Sequence, residues 1–323
     1  MERAKTRIAA SSLALATLFW AGSAHATGVT AGTLIENTAS ATYTSGASGG
    51  SITSNTVTVK VDELLDVAVA GLTTTPEPIS STNAVLVYSV TNTGNGNEAF
   101  NLTANPTVTG NKFDGNIVSI AIDTNKNGVY DAGDVIVTQG GASPSIAPDS
   151  SVQVLVIVSV PQGVTDGEQS QVRLIAAAAT GTGTAGTVFS GQGQGGGDAV
   201  VGTSTAQANA LDALVASVAT VALAKTAVID DQFGGHQPVP GATVTYTMVA
   251  SVSGSGKAEN LHVTDVIPTG TTYKANSLKL GGTALTDVAD GDAGVGSASG
   301  IDVGLGAIDG GQSRTVNFQV TIN

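Results

Sequence analysis

The sequence has no cysteine. No disulfide can staple it, no thiolate can act as a nucleophile, and no thiolate site can hold zinc. Tryptophan occurs once, at Trp20, and aromatic residues make up 4% of the chain, so sugar binding on aromatic platforms is poorly supplied. Basic residues are also few, with 12 Lys and Arg against 25 Asp and Glu. Nucleic acid, which needs a basic face, is excluded as a partner. Beyond residue 26 the only histidines are His236 and His262, and no convergent His, Ser and Asp set can be drawn, so the chain reads as a non-enzyme. Nor does any segment after residue 26 approach the run of about 18 apolar residues that spans a bilayer.

The first 26 residues combine a basic start (Arg3, Lys5, Arg7), an apolar stretch from Ile8 to Ala21 and the cleavage signature Ala24-His25-Ala26, which predicts a signal peptide. Its removal leaves nine basic and 24 acidic residues, a charge of −15. The mature protein is expected to be secreted, at the cell surface or free, with its scattered acids serving solubility.

Gly, Thr, Ser, Val and Ala dominate what remains. Apolar residues recur with period two in short runs divided by Gly, Asn, Asp and Pro, the pattern of all-β sandwiches. The expected fold class is all-β, with two immunoglobulin-like β-sandwich modules preceded by an N-terminal β-hairpin. The expected boundaries are a hairpin at 27–62, a first module at 63–197, a linker at 198–210 and a second module at 211–323. The clearest candidate for helix is the Ala-rich stretch Ala206 to Val218. Each module contains a glycine-flanked turn, Gly94-Asn95-Gly96 in the first and Gly254-Ser255-Gly256 in the second.

One short motif occurs twice, as Gly28-Val29-Thr30-Ala31-Gly32 and as Gly163-Val164-Thr165-Asp166-Gly167. The second copy joins two strand-like runs, Val152 to Val160 and Gln171 to Ala179. The first has no strand before it, while the closing run Arg314 to Asn323 has none after it. The chain thus opens with the closing strands of a module and stops before they are due again, as if completed by the next copy of itself. The leading hairpin presents Ile35, Asn37, Ala39, Ala41 and Tyr43 on one face of its first strand and Val57, Val59 and Val61 on one face of its second, with Leu34 on the opposite face. A lone two-stranded hairpin is marginal in water and must pack on a sheet. The expected acceptor is the edge formed by Val316, Phe318, Val320 and Ile322, and head-to-tail donation grows a filament. Two alternatives stay open: the hairpin folds back on its own second module, or it adds strands to the first.

Asp123-Thr124-Asn125-Lys126-Asn127-Gly128-Val129-Tyr130-Asp131-Ala132-Gly133-Asp134 has the spacing of a Ca²⁺ loop. Asp123, Asn125, Asn127, Asp131 and Asp134 supply side-chain oxygens, Val129 a carbonyl and Gly128 the sharp turn. Other glycine-rich matches are decoys. The elbow-like Gly46 to Gly50 has no following helix, and the dinucleotide-like runs between Gly181 and Gly196 lie in low-complexity sequence without a βαβ unit.

In the second module, Pro240-Gly241-Ala242-Thr243-Val244-Thr245-Tyr246 followed by Val263-Thr264-Asp265-Val266-Ile267-Pro268-Thr269-Gly270-Thr271-Thr272-Tyr273 resembles the conserved repeat of bacterial surface proteins called domain of unknown function eleven. The resemblance implies an immunoglobulin-like sandwich, often in tandem in long extracellular proteins, and carries no catalytic residues. It also implies closing strands like Ile35-Glu36-Asn37-Thr38-Ala39 and Ser54-Asn55-Thr56-Val57-Thr58-Val59, here placed at the other end of the chain. The resulting expectation is a calcium-stabilised structural subunit of an extracellular, pilus-like fibre, with copies of itself as partners. The competing one is a monomeric surface adhesin, closed on itself, that binds cell-surface or matrix components.

Overall fold

The computed structural model describes residues 28–80 and 82–323; the expected signal peptide, residues 1–26, lies outside them. Strands supply nearly all regular structure, and among the described residues the one helical piece is a short 3-10 turn at Gln194–Gly196. No helix among them is long and apolar enough to cross a membrane.

The chain begins with four short strands, β1 (Leu34–Asn37), β2 (Ser40–Ser45), β3 (Ser48–Thr53) and β4 (Val57–Lys60). Their pairing, β1 with β4 and β2 with β3, makes one long antiparallel hairpin turned at Gly46-Ala47. At its interruption the Ala39 N–H donates to Ser54 Oγ (2.9 Å) and the Ser54 N–H to the Ala39 carbonyl (2.8 Å), which carries the ladder through.

The first module contains β5 (Glu63–Leu65), β6 (Val67–Gly71), β7 (Glu77–Ile79), β8 (Ala84–Asn92), β9 (Phe100–Asn105), β10 (Asn116–Asp123), β11 (Val135–Val137), β12 (Gly141–Ala142), β13 (Ser151–Ser159), β14 (Gln169–Ala178), β15 (Val188–Phe189), β16 (Ala199–Val201) and β17 (Gln207–Ala216). One sheet has the order β11-β10-β13-β8-β6 and the facing sheet β12-β9-β14-β17-β7, while β15-β16-β5 form a small third sheet. Period-two burial builds the core. Along β8, Ala84, Leu86, Tyr88 and Val90 point inward, and along β14 Val172, Leu174, Ala176 and Ala178 meet them from the other sheet.

Two expectations are corrected here. Ala206 to Val218 is not helical, because β17 pairs along its length with β14 and buries Asp212, Leu214 and Ala216 on one face. Alanine's helix preference yields to a cross-strand partner and a core to fill. Nor is 198–210 a linker. Residues Ala199–Val201 pair in parallel with β5, and Gln207 onward closes the first module, which therefore runs to about Ser217.

The second module contains β18 (Ala219–Asp230), β19 (Thr243–Gly254), β20 (Lys257–Val266), β21 (Thr271–Tyr273), β22 (Lys279–Leu280), β23 (Thr283–Ala284), β24 (Gly294–Gly296), β25 (Gly300–Asp309) and β26 (Ser313–Ile322). Its larger sheet runs β18-β19-β26-β22-β23, with β21 also on β26, and the facing sheet has only β20-β25-β24. Val244, Met248, Val263, Val303, Val316, Phe318 and Val320 fill the space between.

Candidate subunit-assembly site

In the monomer the hairpin covers nothing and nothing covers it. Tyr43 is 57% exposed and Val59 58%, with Leu34, Ile35, Ala39, Ala41 and Val57 exposed as well and only Val61, at the foot, half-buried. Strands β1 to β4 pair solely with one another, so the hairpin neither folds onto the second module nor extends a sheet of the first. Its foot is fixed firmly. The Ala31 N–H donates to the Asn95 carbonyl (3.0 Å), and the Asn95 side chain holds the Val29 carbonyl (3.0 Å), the Asp62 carbonyl (3.1 Å) and the Leu64 N–H (2.6 Å). From the glycine-rich loop, the Gly195 carbonyl accepts Lys60 Nζ (3.1 Å) and the Gln194 N–H reaches the carboxylate of Glu63 (2.7 Å), whose pKa burial pushes up.

Seven strands of each module correspond, while β5, β7, β15 and β16 belong to the first alone and β21 and β24 to the second. Strands β6, β8, β10, β11 and β13 match β18, β19, β22, β23 and β26 in sheet order; β9 and β12 match β20 and β25. The neighbours of β9, namely β14 and then β17, have no counterpart beside β20, whose outer edge is unpaired. The effect on burial is direct. Aligning the β6–β8 and β18–β19 ladders places Val67 opposite Asn92 and Val221 opposite Val252, equivalent positions in the two modules. Val67 is 3% exposed and Val221 41%. The next inward residue, Leu223, lies opposite buried Ala250 yet is 56% exposed. One inward position further on, Lys225 ion-pairs with Asp265 of β20 across the gap, and its Nζ sits 4.4 Å from the Tyr246 ring centroid.

The leading hairpin copies the missing pair at its base. The Gly32 N–H donates to the Val61 carbonyl (2.8 Å), the Val61 N–H to Thr33 (2.9 Å) and the Thr33 N–H to Thr30 (3.2 Å). After the second copy of the motif the same three bonds recur, Gly167 to Ala216 (2.8 Å), Ala216 to Glu168 (2.8 Å) and Glu168 to Thr165 (3.2 Å). Both copies need a left-handed turn, with φ +82° at Gly32 and +80° at Gly167. Leu34 opposite Lys60 thus matches Gln169 opposite Val215. By that alignment Ile35, Asn37, Ala39, Ala41 and Tyr43 take the inward places of β14, and Val57, Val59 and Val61 those of β17.

The motif's one difference has a structural reason. In the second copy Asp166 accepts the Ser255 hydroxyl (2.6 Å), the Ser255 N–H (3.0 Å) and the Val218 N–H (3.0 Å), joining the first module to the Gly254–Gly256 turn of the second. At the hairpin foot the linking side chain is Asn95, on the turn, and the motif carries Ala31. Bonds from the Ser255 hydroxyl and N–H hold the Asp166 carboxyl below the usual carboxylate range, with Val218 adding to them. A depressed folded-state pKa contributes stability that is present above the unfolded value and lost as pH falls through the folded one. The joint is therefore expected to hold from neutral pH down to about 4 and to loosen only below it. Asp166→Ala should loosen it at neutral pH, read as a rise in radius of gyration by small-angle scattering. An unchanged radius would remove Asp166 as the fastener.

The expected acceptor is corrected. Val316, Phe318 and Val320 are fully buried, with Ile322 packed beside them, because β26 is an interior strand flanked by β19 and by β21 and β22. An unpaired edge lies at β20 and an exposed apolar face on β18, and sequence reading singled out none of Val221, Leu223, Lys225 and Asp265 there.

In the calcium-like loop, buried Asp123 accepts the N–H groups of Lys126 (2.6 Å) and Gly128 (2.8 Å), and Asp134 those of Thr124 (3.1 Å) and Asp131 (2.9 Å). The side chains of Asn125 and Asn127 both donate to Asp131 Oδ2 (2.9 and 3.2 Å), so the third, fifth and ninth loop positions converge. The Val129 N–H caps Asn127 Oδ1 (2.7 Å). Among the described residues no three His, Cys, Asp or Glu side chains gather around one point.

No protein-family model matches the chain, and no curated protein matches it. Similar solved structures include the C-terminal domain of the AgI/II polypeptide BspA of Streptococcus agalactiae, with 12% identity, 80% of this chain and 91% of that chain covered, and a TM-score of 0.33. Others are the collagen adhesin of S. aureus, at 12% identity with 80% of each chain covered and a TM-score of 0.21, and the collagen binding domain of Erysipelothrix rhusiopathiae surface protein RspB, at 8% identity with 81% and 83% covered and a TM-score of 0.21.

Proposed function

We propose that the protein is the structural subunit of an extracellular fibre, assembled head to tail when residues 31–61 of one copy enter the place beside β20 of the next. One observation carries this reading: the first module holds within itself the strand pair that the second lacks, and the free hairpin repeats the base of that pair bond for bond. Donated strands would supply ladder hydrogen bonds to the open β20 edge and cover Val221 and Leu223. The contact is heterologous, so it propagates instead of closing. Electron microscopy of the secreted chain tests this. Filaments with a repeat of two sandwiches are expected, and uniform single particles at high concentration would refute it.

The same reading assigns Ca²⁺ to the Asp123–Asp134 loop as a structural ion. Turning over the Asn125 and Asn127 amides would put two carbonyl oxygens beside Asp131, at the expense of the hydrogen bonds their Oδ1 atoms accept from the Asn127 and Val129 N–H groups. With a Kd of about 10⁻⁴ M, 5 mM calcium should raise the first module's melting temperature by roughly 5 °C. Asp131→Ala should abolish the rise in a calorimetric scan. An equal melting temperature with calcium and with chelator would refute the assignment.

A further inference from the structure

We infer that Lys225 decides which strand pair the second module accepts, admitting the leading hairpin and turning away a regular pair such as β14–β17. The inference rests on the donated-hairpin reading and deepens it by naming the residue that keeps two related sites from exchanging strands.

The first module shows what this position ordinarily holds. Gly71 stands in the place of Lys225, since Val67 matches Val221 and each lies four residues further along its strand. There β17 runs so close that a Cβ on Gly71 would lie 2.9 Å from the Leu211 carbonyl oxygen and 3.4 Å from Asp212 Oδ2. A lysine cannot occupy that place beside a strand laid like β17. The second module carries one, and it carries Asp265 where the first has Ala104. That match follows from the Gly94–Gly96 and Gly254–Gly256 turns once the extra residue of β20 between Ala258 and Leu261 is counted. Ala104 lies opposite Leu174, which is fully buried on β14 and corresponds to Ala39 of the hairpin.

The hairpin departs from β14–β17 at three points that all fall around the place of Lys225. The first is the ladder. β14 and β17 pair without a break from Gln169 opposite Val215 to Ala177 opposite Gln207. In the hairpin, between the pairs Asn37–Val57 and Ser40–Thr53, Thr38 and Ala39 face three residues, Ser54, Asn55 and Thr56. An extra residue bends the strand that carries it, and Thr56 matches Leu211, whose carbonyl crowds Gly71. The second is Val57, an apolar side chain for the stem of Lys225, where the first module has Asp212 accepting the Thr73 hydroxyl and N–H. The third is Ala39. Being smaller than Leu174, it leaves room for the Asp265 carboxylate and for the ammonium paired with it, which sits 4.4 Å from the Tyr246 ring centroid. A β14–β17 pair brought to this site would press Leu174 against the ion pair and the Leu211 carbonyl against the Lys225 stem. Clash with a wrong partner sharpens the choice as much as contact with the right one.

The test exchanges these features in the full-length chain and reads assembly by sedimentation. A hairpin made regular by deletion of Asn55 together with Ala39→Leu should assemble roughly 100-fold less well onto the parent second module, the effect of overpacking at two contacts. Lys225→Gly with Asp265→Ala, which gives the acceptor the first module's residues, should bring that hairpin back and should weaken the parent hairpin about tenfold through unfilled space. Where the glycine variant fails to fold, Lys225→Ala with Asp265→Ala serves, and on it Ala39→Leu alone should assemble as the parent does. The absence of cysteine lets two engineered thiols mark the joint. Ser40 and Thr264 match Ile175 and Thr103, which are cross-strand partners in the first module, so Ser40→Cys with Thr264→Cys should give a disulfide ladder in every combination that assembles. Equal assembly of the regular and parent hairpins on the parent module overturns the role of Lys225, as does failure of both acceptor variants to restore assembly. Fibres without the disulfide ladder overturn hairpin donation itself.

Discussion

Chain lacking residues 28–61 is expected to fold, to remain monomeric, and to bind a synthetic 28–61 hairpin at its second module. Folding should survive because neither hydrophobic core contains a residue from that segment; Ala31 alone is buried, at the turn-on-turn contact of the foot. Assembly should vanish because six or so inward apolar side chains of the hairpin, exposed in the monomer, would be lost to the joint, at about 1.5–3 kcal/mol each before the costs of ordering and association. Deleted chain still has an acceptor, so mixed into intact subunits it should cap growing ends and shorten the fibres. Sedimentation and filament-length distributions read both effects. Fibres formed by the deleted chain alone would show that another surface drives polymerisation.

Leu223→Glu is expected to leave the monomer intact and to weaken assembly by at least 100-fold. The two outcomes separate because Leu223 is exposed in the monomer, where a surface substitution changes stability by about 0.5 kcal/mol or less. In the joined state the same carboxylate would be buried without a partner, at several kcal/mol. Ala222→Glu, one residue earlier and opposite exposed Ser251 on the other face of β18, is the control and should assemble normally. Equal loss in both variants would point to net charge, and loss in neither would place the joint elsewhere.

Much of this architecture is legible in sequence, because a sandwich strand announces its buried face by alternation. The apolar runs Val152 to Val160 and Arg314 to Asn323 lead directly to β13, which is buried on both faces, and to β26, and the alternation of 34–43 and 57–61 leads to the two faces of the hairpin. The acceptor was not legible, for a specific reason. Ala206 to Val218 is rich in alanine, which favours helix when isolated, and only its pairing with β14 makes it a strand. Without β17 the first module has no visible closing pair, and nothing indicates which neighbour of β20 the second module is missing. The terminal strand, rich in Val and Phe, then looks like the edge, although its apolar face belongs to the core. The layer of Lys225 and Asp265 is hidden for a similar reason, since two residues 40 apart in the chain become neighbours only through sheet packing. Asp166 was visible as an oddity in a repeated motif, but its role needed the turn at Gly254–Gly256 to be brought alongside.

The turn-on-turn contact is made twice, once where the hairpin foot meets Gly94–Gly96 and once where Asp166 meets Gly254–Gly256. In a fibre joined by the hairpin, the first becomes the boundary between copies and the second lies inside each copy, with like geometry at both. Every sandwich would then meet the next across one kind of hinge, whether or not a peptide bond happens to cross it. Such a rod has no soft point recurring once per subunit; it bends evenly, and under tension the load passes through hydrogen-bonded strand pairs at every step along its length.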